Sequence, residues 1–146
     1  AVMAEGRLDS WLVAMKPGKP VAFGRVHDAG GGPGAAFIGL PGNPVSSFVT
    51  FILLVRPFVL RAQGVTDCLP KAIPLVSGFD WPKPDRRREF LRVRIGDDGR
   101  VALFPNQGPG VLTSTVWADG IVNNPPSQAI VAGDQVQFIP YSELLS

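Results

Sequence analysis

The chain has 146 residues, room for one domain or two small ones, and its 45% apolar content is that of an ordinary globular protein. A net charge of +2 gives no strong bias toward nucleic acid, and the single cysteine, Cys68, excludes an intrachain disulfide and a cysteine-based zinc site. The longest apolar run, residues 48–55, is interrupted by Thr50 and stops at Arg56-Pro57, well short of a bilayer span.

The N-terminus has neither a basic start nor a cleavable apolar segment, and one cysteine fits a reducing compartment. The reading is a soluble cytoplasmic protein with neither a membrane nor a nucleic-acid partner.

Residues 1–6 read as the last turn of a helix with Gly6 as its C-cap, and a start inside a helix without methionine suggests part of a longer protein. Residues 8–15 read as a strand that buries Trp11, Leu12, Val13 and Ala14. Lys16-Pro-Gly-Lys-Pro20 interrupts it, because two prolines and a glycine suit neither helix nor sheet centre. Residues 21–26 form a second strand, 28–34 a glycine-rich hairpin tip, and 35–40 a third strand.

Pro41-Gly42 then turns the chain, and Asn43-Pro44 starts a helix, Asn as N-cap and Pro at the first helical position. Val45, Phe48, Val49, Ile52 and Leu53 recur at the helical period. The helix ends near Gln63 with Gly64 as C-cap, and Pro57 is expected to kink it.

After Gly64 the composition changes. Short strand candidates follow at 73–79, 89–95, 101–104, 120–123 and 135–140, with one or two helical turns within 111–119. Residues 88–95 alternate polar and apolar, which turns Phe90 inward, and Asp97-Asp98-Gly99 is a hairpin turn. Many short strands in this stretch suggest a small barrel or sandwich, with a boundary near residue 68.

Two loops carry the chemistry. Lys16 and Lys19 bracket Pro17-Gly18 at a strand end, and two ammonium groups on a stiff loop suit an oxyanion. The corner from Pro41 to Pro44 opens a helix N-terminus, whose free N–H groups and dipole favour negative charge. Both loops follow strands expected to neighbour each other, which places the loops on one sheet edge. Five of the Lys and Arg residues lie within 86–94; a solvated strand face beside Asp85 and Glu89 is their plainer reading. His27 stands alone and exposed, Cys68 is structural, and the acids form no cluster beside either loop. No nucleophile triad, P-loop or dinucleotide fingerprint is present. Residue chemistry thus ends at an anion site without acid, base or metal ligands.

Val13-Ala-Met-Lys-Pro-Gly-Lys-Pro-Val-Ala-Phe-Gly24 and Phe37-Ile-Gly-Leu-Pro-Gly-Asn-Pro-Val-Ser-Ser-Phe48 closely resemble the molybdopterin molybdenumtransferase family, which includes the E domain of gephyrin. Val55-Arg-Pro57, Phe90-Leu-Arg92, Gln107-Gly108 and Asn123-Asn-Pro125 are similar to the same pattern. The resemblance implies an α/β fragment, the end of a three-layer molybdopterin-binding domain over residues 1–66, followed by a small all-β barrel-like domain over 70–146. It also implies the last step of molybdenum cofactor synthesis: molybdate insertion into adenylylated molybdopterin with release of AMP, assisted by magnesium, in an elongated homodimer.

The family's Gly-Gly-x-Ser segment and acidic metal-binding residues would lie upstream, so catalytic residues are not assigned. The isolated chain is expected to bind no metal and to be inactive. By position, Lys16, Gly18, Lys19 and Pro20 would belong to the oxyanion and pterin-phosphate side of the pocket. Pro41, Gly42, Asn43, Pro44 and Ser46 would form the neighbouring corner with N–H groups facing substrate. Arg87 and Ser114 in the β-domain would face the active site across a dimer. Where the family carries Ser after Gln-Gly, this chain has Pro109. The alternative reading is a non-catalytic interaction module.

Overall fold

The computed structural model describes residues 7–27, 30–32 and 34–145. The helical turn expected over residues 1–6 lies outside them, as do Asp28, Ala29 and Pro33 of the expected hairpin tip.

The first strands are β1 (Arg7–Val13), a two-residue β2 (Met15–Lys16), β3 (Val21–His27) and β4 (Ala35–Gly39). β1, β3 and β4 make an antiparallel sheet in the order β1-β3-β4. The strands leading to the two loops are therefore not neighbours, as expected, but flank β3. Both run antiparallel to β3, so their ends still reach the same sheet edge. Leu12 is 74% exposed, and Val13 and Ala14 are exposed too, against the expectation of burial. Among the described residues β1 pairs with β3 alone. The chain leaves this sheet at Ala14, and Met15, 5% exposed, is the first residue to enter a core.

Helix α1 (Pro44–Ala62) runs 19 residues, long and apolar enough by length and composition to cross a bilayer. Counting uninterrupted apolar residues missed this, because Ser46, Ser47 and Thr50 break the run while lowering the average little. The helix behaves as a core element: Val45, Val49 and Ile52 are buried with Phe90, Ile121, Ile139 and Leu144, as the helical period indicated. Phe58 on α1 meets Phe23 of β3 edge to face at 6.0 Å, seating the helix on the first sheet.

Pro57 shapes the middle of α1. It cannot donate to the Leu53 carbonyl, and residues Phe51–Val55 adopt a wider π turn in which the Arg56 N–H donates to Phe51 O. The α-helix resumes over Arg56–Ala62. At its end Gly64, at φ 93, and the Val65 N–H bonded to Leu60 O close the helix as the glycine indicated.

The remaining elements are β5 (Ile73–Val76), β6 (Arg88–Ile95), β7 (Val101–Leu103), α2 (Thr113–Trp117), β8 (Gly120–Asn124), β9 (Gln135–Pro140) and α3 (Tyr141–Leu145). The second sheet has the order β2-β6-β8-β9-β5, with β7 also paired to β6. It curls until Ser77, just past β5, bridges Val101 of β7, and Gly78 N–H bonds Val101 O at 2.9 Å. One bridge does not close a barrel, so the barrel-like expectation becomes a mixed α/β chain with a rolled, open sheet.

β2 pairs in parallel with β6, Lys16 opposite Glu89, across the expected boundary. β6 is buried on both faces from Glu89 to Val93. Phe90 faces the α1 core, whereas Leu91 and Val93 join Val122, Val136 and Phe138 in a second core.

Candidate oxyanion cleft

Where β2 meets β6, a cleft of about 400 Å³ opens between the two parts of the chain. Of the residues expected in a site, Lys16, Gly18, Lys19, Asn43 and Arg87 line it. Pro20, Pro41, Gly42 and Pro44 are not among its lining residues, and Ser46 and Ser114 lie buried behind it. Trp81, Glu89, Phe90, Arg92 and the Gln107–Pro109 loop supply the facing wall.

The loop after β2 is held from both sides. Gly18 takes φ 102, and a Cβ there would overlap the buried Ser46 hydroxyl, so only glycine lets the loop settle on α1. The Ser46 hydroxyl has no hydrogen-bond partner among the described residues. From the other side, Arg87 Nη1 donates to Gly18 O at 2.9 Å. Lys16 Nζ pairs with Asp85 Oδ2 at 2.5 Å, and Asp85 Oδ1 accepts from the Arg87 N–H and Nε at 2.8 and 3.1 Å. Lys16, then the Arg87 side chain and backbone, hold the Asp85 carboxyl well below the usual carboxylate range. Asp85 and Glu89 thus stand beside the first loop, two single acids that the sequence pattern did not place there.

The corner at α1 differs from its expectation. Asn43 takes the extended N-cap backbone, but its side chain makes no capping bond; the Ser47 hydroxyl donates to Pro41 O instead. The Val45 N–H, in the first turn of α1 between the expected corner residues Pro44 and Ser46, donates to Pro109 O at 3.1 Å. The free donors of a helix start take whichever acceptor is near, and here it is the loop after β7.

The residue that sequence reasoning missed is Arg92. Its side chain is 1% exposed and makes no ion pair with any described carboxylate. Nε donates to Ser114 Oγ at 3.0 Å, Nη2 to Gly108 O at 3.2 Å and Nη1 to Phe90 O at 3.4 Å. Ser114 in turn donates to Val111 O at 2.6 Å, so it orients Arg92 rather than facing the cleft. Burial brings the Arg92 guanidinium down to about 10, leaving it a cation at neutral pH.

Gln107 explains why its loop stays put. Its side-chain amide accepts the Arg92 N–H at 2.9 Å and donates to Arg92 O at 3.0 Å, extending the β6 ladder beyond β7. Nearby, Glu89, 3% exposed, accepts from Trp81 Nε1 at 2.8 Å and Asn124 Nδ2 at 3.4 Å. The solvated-face reading of residues 86–94 therefore fails at Glu89 and Arg92. His27 is half-buried rather than exposed.

The magnesium ion that the resemblance implies does not fit these donors. Asp85 is engaged by Lys16 and Arg87, and Glu89 by Trp81 and Asn124. No group of three or more His, Cys, Asp or Glu side chains able to hold a metal occurs among the described residues.

Fold and cleft together define a mixed α/β chain with a rolled β-sheet and a cleft lined by Lys16, Lys19, Arg87 and Arg92. Residues 74–141 match the MoeA C-terminal region (domain IV). The chain is 32% identical over 146 residues to the molybdopterin molybdenumtransferase of Haemophilus influenzae, covering 96% of this chain and 35% of that protein. It is 36% identical to the Drosophila melanogaster molybdenum cofactor synthesis protein cinnamon, covering 82% of this chain and 20% of that one. The molybdenum cofactor biosynthesis protein of Pyrococcus furiosus superposes with a TM-score of 0.72 at 22% identity, over 92% of this chain and 46% of its own.

The chain is thus similar to the C-terminal part of the molybdopterin molybdenumtransferase family, with residues 74–141 matching its domain IV region. It spans about a third or less of the length of these curated relatives.

Proposed function

We propose that this chain supplies the oxyanion half of the active site of a molybdopterin molybdenumtransferase, binding molybdate or the phosphate of adenylylated molybdopterin. In this reading residues 1–66 are the end of the molybdopterin-binding domain and 70–146 the C-terminal β-domain. Arg92 is the observation that carries it: a buried guanidinium with only neutral oxygens for partners, on the wall of a cleft whose mouth holds Lys16, Lys19 and Arg87. Such a cation is costly to bury alone, and an anionic ligand offsets that cost. The orphaned Ser46 hydroxyl beneath Gly18 is a second polar group awaiting a partner.

These residues bind and orient. Arg92 and Lys19 hold the oxyanion, while Arg87 fixes the Gly18 loop against β6. Catalytic acceleration would come from preorganised positive charge, without a covalent intermediate on this chain. Metal ligands and turnover belong, in this reading, to the complete protein, so the isolated chain binds without reacting. Homo-oligomer formation is part of the same reading, supported by the exposed Leu12, Phe51 and Phe58.

The test is calorimetric titration of molybdate, and separately AMP, into the chain and into an Arg92→Met/Lys19→Ala variant. Saturable binding to the unaltered chain that disappears in the variant is expected. Equal binding by both removes the basis of the reading.

A further inference from the structure

The cations of the cleft fall into two kinds. Arg92, deep in the wall, faces no described carboxylate, whereas Lys16 and Arg87 at the mouth share the single carboxylate of Asp85. The two Asp85 carboxylate oxygens lie at 2.5 Å from Lys16 Nζ and 3.1 Å from Arg87 Nε, the arrangement that two oxygens of a bound oxyanion would adopt. The carboxylate comes from this chain's own loop, which is anchored independently of it: the Ser127 N–H donates to Asp85 O at 2.8 Å. All three side chains are partly exposed, with 39% of Lys16, 33% of Arg87 and 23% of Asp85 accessible, so the pair can exchange partners with a ligand.

We infer that Asp85 is a resident counter-anion: its carboxylate holds Lys16 when the cleft is empty and is displaced from Lys16 by an incoming oxyanion. Resting on the oxyanion reading above, this makes Asp85 a residue that limits affinity. A ligand must compete with a tethered carboxylate for Lys16, and the carboxylate then remains near it as a like charge. Dianions such as molybdate or hydrogen phosphate can make that exchange; weakly charged anions cannot.

The experiment titrates sodium molybdate into the unaltered chain, Asp85→Asn, Lys16→Met and the double variant, with Arg92→Met as the reference for loss of the site. Asn keeps an acceptor for the Arg87 N–H, and Asp85→Ser provides a second neutral variant should the amide disturb the loop; thermal unfolding reports folding of each. Asp85→Asn is expected to bind molybdate on the order of tenfold more tightly, the scale for removing a like charge at a half-exposed rim. Lys16→Met is expected to cost more affinity in the Asp85→Asn background than in the unaltered one, since there the ammonium meets the ligand without first giving up a carboxylate partner.

Unchanged or weaker binding by both neutral variants overturns the inference, and binding that still depends on Arg92 then leaves the oxyanion reading standing. A gain that survives Lys16→Met also overturns it, because the effect would then be one of general charge. Absence of binding in every protein overturns both.

Discussion

Arg92→Met separates binding from stability. Burial lowers the guanidinium from its ordinary value to about 10, which at 1.36 kcal/mol per pKa step corresponds to about 3 kcal/mol spent on keeping the cation in the folded chain at neutral pH. The sign follows from a base whose folded value is depressed: the penalty is present at every pH below about 10 and is relieved only above it. Methionine removes the charge while retaining most of the volume. Ser114 keeps its bond to Val111 O, and the Gly108 carbonyl is left at the cleft wall. Urea unfolding at pH 7 should therefore find Arg92→Met as stable as the unaltered chain, or more stable by up to about 3 kcal/mol. The thermal stabilisation that molybdate gives the unaltered chain should vanish in it; at a hundredfold excess over Kd that stabilisation is about 2.7 kcal/mol. A variant that loses several kcal/mol yet keeps its response to molybdate would refute the reasoning, showing Arg92 to be a structural strut.

Gly18→Ala meets both a positive φ and the Ser46 hydroxyl, and should lower stability by about 1–3 kcal/mol in urea unfolding, with weaker molybdate binding. Asp85 has a depressed folded value, so its contribution to stability is complete above its ordinary pKa and is lost as pH falls below about 4. The difference in urea midpoint between the unaltered chain and Asp85→Asn, small because solvent screens the pair, should be constant above about pH 5 and shrink steadily as pH falls below about 4. Ile52→Ala, at 1% exposure in the core beneath β6 and β9, should cost about 2–5 kcal/mol without changing the cleft's residues; an effect below 1 kcal/mol would mean that α1 is not seated as described.

Local chemistry made much of the architecture legible. Asn43-Pro44 marks the start of α1, its apolar stripe names Val45, Val49 and Ile52 as core, and Gly64 ends it. The Lys16–Lys19 loop was recognisable as a cleft element for the same reason: its peculiarity is written in consecutive residues. Arg92 was missed although a signal existed. The two-residue strand period that turns Phe90 inward places Arg92 on the same face, but an arginine in an alternating strand was read as solvated. That reading presumes one wet face, and β6 has none over its middle because a core lies on each side of it. Lys16 beside Glu89 and Asp85 arises from a parallel pairing of segments far apart in sequence, which no local pattern encodes. The acceptor of the Val45 N–H, Pro109 O, likewise arrives from a distant loop, so the sequence leaves the donors of this helix start without a protein partner.

The central claim is that the cleft between the Lys16–Pro20 loop and β6 holds an oxyanion through Arg92. A crystal of the chain soaked in molybdate, measured for the anomalous signal of molybdenum, tests it most directly. The account predicts a molybdenum peak in the cleft, with an oxygen within hydrogen-bonding distance of the Arg92 guanidinium. An empty cleft at saturating molybdate, or a peak confined to surface lysines away from it, would contradict it.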